Sequence, residues 1–180
     1  MTIDPKLNVN FYLVGFMGTG KSSIGRQLAK AMQMEFIDSD SEIVKIAEKP
    51  IKYIFTQEGE SEFRKMEREF VVSGHPETGC IIACGGGLVM QEGMIDILKS
   101  KGVLICLFAS ASTILKRTSS NLNRPLLNVE SPEEKIAELL AERESTYLQA
   151  GTGIYTDNRS IAEIVEHALR IYRKQAAMFP

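Results

Sequence analysis

The feature that most constrains this chain is an eight-residue loop near its beginning. Residues 15–22 read Gly-Phe-Met-Gly-Thr-Gly-Lys-Ser, a complete G-x-x-x-x-G-K-[ST] phosphate-binding pattern. A short apolar run precedes the loop and an amphipathic stretch follows it, which predicts a strand before it and a helix after it. Glycines let the backbone wrap closely around phosphates, and the positive end of the following helix lies beneath the anion. We therefore predict a nucleoside triphosphate site, with Lys21 on the β- and γ-phosphates and the Ser22 hydroxyl on Mg²⁺.

Length and composition indicate one ordinary domain. The chain has 180 residues, of which 44% are hydrophobic and 24% are charged, as in globular proteins. A net charge of −2 excludes a general attraction to nucleic acid or to an anionic membrane surface. No apolar run approaches the roughly 20 residues that cross a bilayer, and the beginning of the chain lacks a signal-peptide pattern. We expect a single domain over residues 1–180, a cytoplasmic location, a monomer, and no nucleic-acid or membrane partner.

The cysteines do not predict a metal site. Cys80, Cys84 and Cys106 are an odd number in no metal-ligand spacing, and the chain offers only two histidines to join them. We interpret them as reduced cysteines that serve as small core residues.

Short apolar runs alternate with longer periodic stretches along the whole chain. The runs are predicted strands at residues 11–14, 35–37, 80–83, 103–108 and 153–155. The stretches are predicted helices at residues 21–32, 41–48, 51–58, 60–72, 91–101, 112–118, 132–149 and 161–177. This alternation is typical of an α/β protein with a parallel sheet covered by helices.

Local signals mark two helix starts and one irregular segment. Ser131 and Ser160 each begin a capping box, with a glutamate three residues later, before the last two predicted helices. Residues 119–130 show no clear periodicity, which favours a mobile flap.

Two carboxylates follow the second predicted strand. Ligands of an open parallel sheet bind beyond the carboxyl ends of its strands, where Asp38 and Asp40 fall. Residues two apart in an extended chain point the same way, so both carboxylates are expected to face one cleft. The structural alternative is that they cap the next helix, because Ser39-Asp40-Ser41-Glu42 also fits a capping box. Both roles can hold at once.

Three glycines and several arginines complete the set. Gly85, Gly86 and Gly87 follow the third predicted strand, which indicates either a close backbone approach to a ligand or a turn that needs positive φ. A single arginine is most often a solvated surface charge, but its planar paired donors suit phosphate and carboxylate groups. The candidates are Arg64, Arg117, Arg124 and Arg143.

Taken in order, these motifs make the chain similar to the shikimate kinases, in the nucleoside-monophosphate-kinase-like group of P-loop proteins. They are GFMGTGKSSIGRQLA, FIDSDSEI, the segment from Phe55 to Glu67 with Gly59-Glu60 and Phe63-Arg64, CGGG, Arg124-Pro125-Leu126-Leu127, and Arg143 with Tyr147. The resemblance runs from about residue 11 to residue 173. It implies a three-layer α/β sandwich of the P-loop NTPase type around a five-stranded parallel sheet. It also implies a shikimate-binding region near residues 39–68 and a lid near residues 119–131.

The resemblance implies ATP and shikimate as partners, Mg²⁺ as cofactor, and phosphorylation of the shikimate 3-hydroxyl. The implied ATP-binding residues are Gly18, Thr19, Gly20, Lys21, Ser22, Ser23, Arg117 and Arg124. The implied shikimate-binding residues are Asp40, Arg64, Gly85, Gly86, Gly87 and Arg143. Ser22 and Asp38 would hold the metal. Lys21, Asp40 and Arg124 would be catalytic, with Asp40 on the acceptor hydroxyl and Arg124 reaching the phosphates when the lid closes.

Three other classes of protein share a phosphate-binding loop of this kind. Another small-molecule kinase, such as a gluconate or nucleotide kinase, would share the phosphate loop, although two arginines and three glycines suit a compact hydroxylated carboxylate better than a nucleobase. A switch GTPase needs D-x-x-G and N-K-x-D elements, and none of the five aspartates begins or ends one. A non-catalytic nucleotide-binding relative should have lost Asp40, Arg64 or Arg124, and all three are present.

Overall fold

The computed structural model describes residues 8–119 and 131–179. The elements in chain order are β1 (Asn10–Gly15), α1 (Lys21–Met32), β2 (Glu35–Asp38), α2 (Ser39–Ala47), α3 (Ile51–Tyr53) continued by a π-helical turn (Ile54–Glu58), α4 (Glu60–Ser73), β3 (Cys80–Ala83), a 3-10 turn (Leu88–Met90), α5 (Met94–Lys101), β4 (Gly102–Phe108), α6 (Ala111–Thr118), α7 (Pro132–Gln149), β5 (Thr152–Tyr155) and α8 (Ile161–Ala176). Each predicted strand and helix is present. The largest shift is at α5, which begins at Met94 because the 3-10 turn and Gly93, with φ 72°, come first.

The strands form one parallel sheet in the order β2-β3-β1-β4-β5. This confirms the predicted α/β class with a five-stranded parallel sheet. On one side of β1 the chain first forms the edge strand β2 and then β3, which lies between β2 and β1. It then crosses to the other side of β1 for β4 and β5. The strand order therefore reverses at β1, and the carboxyl end of β1 carries the phosphate-binding loop. Open α/β sheets bind their ligands in the crevice at such a reversal.

The core has two layers, one on each face of the sheet. Alternate residues of β1 divide between them: Tyr12 and Val14 pack on one face, Phe11 and Leu13 on the other. A parallel strand that is buried on both faces needs a continuous apolar run, which is how β1 reads in the sequence. The three cysteines are buried and free of disulfides, which confirms their interpretation as core residues.

The helix starts correct one expectation and confirm another. At α8 both halves of the predicted capping box form, because Ser160 Oγ accepts from the Glu163 N–H and Glu163 Oε2 accepts from the Ser160 N–H. At α7 Pro132 opens the helix as expected, but the Ser131 side chain makes no cap hydrogen bond, so the box predicted there is wrong. The physical reason is backbone rotation: ψ of Ser131 is 78°, against 154° at Ser160.

Within residues 8–119 and 131–179, none of the helices combines the length and apolar composition that a bilayer-spanning segment needs. The expected lid, residues 119–131, lies outside the described residues except for its two ends, and so does Arg124.

Candidate active site

A cavity of about 460 Å³ lies at the carboxyl edge of the sheet. Its lining comes from the ends of all five strands and from the elements that follow them. The lining residues are those at 17–24 after β1, Asp38 and Asp40 at the end of β2 and the start of α2, Ala83, Cys84, Gly85 and Gly86 at β3, Arg117 in α6 after β4, and Thr156, Arg159, Ile161 and Ile164 after β5. The cavity thus brings together the phosphate loop, the carboxylate pair and two of the three glycines, as the sequence predicted.

The phosphate loop is held in shape by its own backbone. Gly18 and Gly20 have φ of 77° and 99°, a left-handed region that favours glycine. Thr19 Oγ1 donates to the Phe16 carbonyl at 2.8 Å and fixes the turn. Gly20 precedes α1, and no described side chain caps that helix, so its first N–H groups can bind an anion at the positive end of the helix dipole.

Lys21 lies over this loop. Its Nζ donates to the carbonyls of Gly15 and Phe16 at 2.8 and 2.9 Å. The ammonium group is therefore held against the first two residues of the loop, and Lys21 lines the cavity.

Ser22 and Asp38 place two oxygen atoms that can bind a metal ion next to each other. Ser22 Oγ donates to Asp38 Oδ2 at 2.8 Å. The other oxygen, Asp38 Oδ1, accepts from the Ser41 N–H at 3.3 Å and caps α2. The capping alternative and the placement at the site therefore both hold for Asp38. A hydroxyl beside one carboxylate fits Mg²⁺, which binds through one or two carboxylates together with phosphates and water.

Asp40 reaches the cavity by a different route from the one expected. Because Asp38 caps α2, the helix begins at Ser39, and Asp40 lies in its first turn rather than in extended chain. The period-two argument for Asp38 and Asp40 is therefore wrong, although both line one cavity. Ser39 adds a connection to the next strand, because its Oγ accepts from the Gly85 N–H at 3.0 Å.

Gly85 and Gly87 make room for charged side chains of the protein itself, whereas a Cβ on Gly86 would meet only backbone atoms, at an ordinary distance of 3.5 Å. None of Gly85, Gly86 and Gly87 has positive φ, so the turn explanation is wrong. A Cβ on Gly85 would lie 2.7 Å from Asp40 Oδ1 and would also meet Glu67 Oε1. A Cβ on Gly87 would lie 2.5 Å from Arg64 Nη2. Lack of space beside these side chains is therefore the reason for glycine at positions 85 and 87, and the predicted close approach of the backbone to a ligand stays a prediction.

Glu67 was missed as a site residue by the sequence analysis. It is 1% exposed, and its Oε2 accepts from Arg64 Nη1 at 2.6 Å and from Gln91 Nε2 at 3.1 Å. Burial raises the pKa of Glu67 to about 7, against the opposing effect of the Arg64 charge. Among the described residues its Oε1 has no hydrogen-bond partner, and it faces Gly85. The signal was available: Glu67 follows Arg64 by three residues, one helical turn.

Arg64 and Arg143 converge on Tyr147 next to the cavity. Arg64 also pairs with Glu60 Oε1 at 2.8 Å, and the Arg143 guanidinium carbon lies 5.7 Å from the centre of the Phe16 ring. Burial raises the pKa of Tyr147 to about 12, while the positive charges of Arg143 and Arg64 lower it. The Tyr147 hydroxyl donates to the Gly86 carbonyl at 2.6 Å. Arg64 thus lies against Gly87 and Arg143 against Phe16, and neither arginine lines the cavity.

At the β4–β5 end, Arg117 joins two loops. Its Nη1 donates to the Gly18 carbonyl at 3.2 Å and to Thr156 Oγ1 at 2.9 Å, and its Nη2 donates to the Thr156 carbonyl at 3.1 Å. Arg117 lines the cavity, as does Arg159, which the sequence analysis did not consider. The position of Thr156 and Arg159 directly after the fifth strand was the signal that could have identified them.

With this geometry in view, comparisons with known proteins identify relatives over most of the chain. A family model described as shikimate kinase matches residues 17–173. The shikimate kinase of Thermodesulfovibrio yellowstonii is 41% identical over 165 residues, 92% of this chain and 95% of that protein. That of Caldanaerobacter subterraneus subsp. tengcongensis is 40% identical, over 92% of this chain and 96% of its own length.

Solved structures agree with these relatives. The shikimate kinase from Acinetobacter baumannii in complex with shikimate matches with a TM-score of 0.86 and 34% identity, over 93% of this chain and 94% of that one. A gluconokinase from Sinorhizobium meliloti matches with a TM-score of 0.63 and 18% identity over 95% of each chain, which shows a shared fold alone.

Proposed function

The chain belongs to the shikimate kinase family, and we propose that it transfers the γ-phosphoryl group of ATP to the 3-hydroxyl of shikimate. The products are shikimate 3-phosphate and ADP, a step of aromatic amino-acid biosynthesis. One observation supports the assignment of this reaction to the site: the phosphate loop, Asp40 and the glycine segment line a single cavity. Arg64 lies beside that segment, and Tyr147, next to Arg143, donates to its Gly86 carbonyl. The cytoplasmic location and the monomeric state stay predictions.

Phosphoryl transfer depends mainly on positioning and on neutralising charge. The N–H groups at the start of α1 would hold the phosphates, together with Gly18, Thr19, Gly20 and Ser23. Lys21 would exchange two carbonyl partners for β- and γ-phosphate oxygens, which are stronger acceptors because they carry charge. Arg117 would contact the nucleoside end of ATP.

The metal site would consist of Ser22 and Asp38. Mg²⁺ held there supplies positive charge to the β- and γ-phosphates. Asp38 is anchored for this task, since its second oxygen is occupied as the cap of α2.

Asp40 would accept a hydrogen bond from the 3-hydroxyl of shikimate. In the transfer step the hydroxyl oxygen bonds to the γ-phosphorus, the bond from that phosphorus to the bridging oxygen of ADP breaks, and the hydroxyl proton passes to Asp40. The carboxylate also aligns the oxygen for attack.

Arg64 and Arg143 would grip the carboxylate of shikimate, with Gly85, Gly86 and Gly87 against its ring hydroxyls. Arg64 is oriented in advance by Glu60 and Glu67, so little side-chain freedom is lost on binding. Arg124 lies outside the described residues, and its contact with the phosphates stays a prediction from the family resemblance.

The test is release of ADP, followed by coupling to NADH oxidation, with Mg-ATP and one acceptor at a time. Shikimate is compared with gluconate, with nucleoside monophosphates and with no acceptor. We expect turnover with shikimate alone. Turnover with gluconate or a nucleotide would keep a P-loop kinase but reject the carboxylate grip, and ATP binding without turnover on any acceptor would indicate a non-catalytic relative.

A further inference from the structure

The strand order arranges the groups of the cavity in a line. Asp40 and Gly85 belong to the β2–β3 end, Lys21 lies in the middle after β1, and Arg117 and Arg159 belong to the β4–β5 end. Because the loop after β1 binds phosphates and the acceptor lies on the β2–β3 side, the nucleoside of ATP extends toward the β4–β5 end. This step rests on the proposed function, since it uses the proposed place of ATP.

Arg159 is held at that end by three acceptors. Its Nη1 donates to the Tyr155 carbonyl at 3.2 Å, and its Nη2 donates to the Glu163 carbonyl at 3.1 Å. The third contact joins Nη1 to Nδ1 of His167 at 3.4 Å. Arg159 is half-buried and lines the cavity beside the apolar Ile161. A flat guanidinium next to an aliphatic side chain suits a nucleobase, which offers ring edges and a flat face.

The contact with His167 defines the state of the imidazole. An arginine side chain has only donors, so Nδ1 of His167 must be the acceptor and the ring must be neutral with its proton on Nε2. The charged groups whose fields reach the ring are Arg159 and, from α8 itself, Arg170; burial together with these two lowers the pKa of His167. The accepting form is therefore favoured near neutral pH, and adding a proton to Nδ1 would turn the contact into repulsion.

We propose that His167 is a positioning residue for ATP: it holds the Arg159 guanidinium against the nucleoside end of the cavity. Arg159 then contacts the base or ribose, and the affinity for nucleotide depends on whether His167 can accept its hydrogen bond. His167 lies outside the cavity lining and acts only through Arg159.

The experiment measures binding of ADP and of inorganic tripolyphosphate by calorimetry, together with KM for ATP and for shikimate. Arg159→Gln is expected to weaken ADP binding about tenfold, which is typical for loss of a charge-assisted contact, and to leave tripolyphosphate binding and the KM for shikimate unchanged. His167→Leu is expected to weaken ADP binding about threefold. His167→Asn should restore tight binding, because the amide oxygen of asparagine can occupy the place of Nδ1.

The control is Arg170→Gln, which removes an equal charge from α8, the helix that carries His167, without altering the cavity lining. In the wild-type protein, ADP affinity should fall as the pH drops through the pKa of His167, and this step should be missing in His167→Asn. Thermal unfolding of each variant checks that it is folded. If His167→Leu does not fold, the pH profile of His167→Asn and the binding data of Arg159→Gln still decide the question.

Several outcomes would overturn the inference. Unchanged ADP binding in Arg159→Gln would remove Arg159 from the nucleoside, and an equal loss of tripolyphosphate binding would move it to the phosphates. Equal effects of Arg170→Gln and Arg159→Gln would leave only a general charge effect. Lys21→Ala distinguishes failure of this inference from failure of the proposed function. If this variant bound ADP and tripolyphosphate as tightly as the wild type does, the proposed place of ATP itself would be wrong.

Discussion

At the phosphate end of the cavity one contiguous segment supplies most of the groups, whereas at the acceptor end they come from α2, α4, α7 and the turn after β3. The phosphate end works through backbone N–H groups, and its glycines are required by their positive φ. The acceptor end works through side chains, and its Gly85 and Gly87 are required by lack of space. Arg64 at the acceptor end is held by two carboxylates, those of Glu60 and Glu67. A change there is therefore expected to move its neighbours, while a change in the loop stays local.

The largest expected effect tests whether the two ends act independently. Asp40→Asn keeps the shape of the side chain but removes the proton acceptor, so kcat should fall by about 10²–10⁴-fold. ADP binding, measured by calorimetry, should stay within about twofold of the wild type, because Asp40 lies at the opposite end of the cavity from the proposed nucleoside position. A parallel loss of ADP affinity would contradict the division of the cavity into two ends.

The next effect concerns the side-chain network. Arg64→Ala should raise KM for shikimate on the order of 10²-fold, because it removes a charged donor and leaves the buried Glu67 carboxylate unpaired. KM for ATP should change little. Arg68→Ala is the matched control: Arg68 lies one turn further along α4, is exposed, and donates to the Glu92 carbonyl away from the cavity. An unchanged KM for shikimate in Arg64→Ala would remove that residue from the carboxylate grip.

Glycine replacements should affect the two ends of the cavity differently. Gly85→Ala places a Cβ against Asp40 and Glu67, so kcat/KM for shikimate should fall by about tenfold or more, since interior groups cannot shift freely. Gly20→Ala instead strains a backbone with φ of 99° and should weaken ADP binding. Gly93→Ala is the control, because Gly93 has φ of 72° but nothing within 4 Å of an added Cβ. It should cost about 1 kcal/mol of stability and no activity. The contrast fails if Gly85→Ala weakens ADP binding as much as Gly20→Ala does.

The two ends of the cavity also differ in how much of their structure could be predicted from the sequence. The loop from residue 15 to residue 22, the five strands and α1 are local patterns, and they were predicted nearly to the residue. The reason for Gly85 was not readable, because the atoms that crowd it belong to Asp40 and Glu67, which are distant in sequence. The start of α2 could not be predicted either. Asp38 caps the helix, which places Asp40 in its first turn. Such outcomes depend on which side chains meet after folding, and a single sequence gives spacing but not contact.

The smallest effect is thermodynamic and concerns the buried carboxylate that holds Arg64. Burial raises the pKa of Glu67 in the folded protein to about 7 from its ordinary 4.5. The folded state therefore keeps a proton that the unfolded state releases, so this group's contribution to stability is full below pH 4.5 and is lost as the pH rises toward 7. Glu67→Gln cannot ionise, and the free energy of unfolding of the wild type should fall relative to it by about 1–3 kcal/mol between pH 4.5 and pH 7.5. Urea unfolding at several pH values measures this difference, and a constant difference would mean that the Arg64 charge keeps Glu67 ionised throughout. The acceptor end thus depends on a buried carboxyl group in contact with an arginine, which has no counterpart among the described contacts of the phosphate loop.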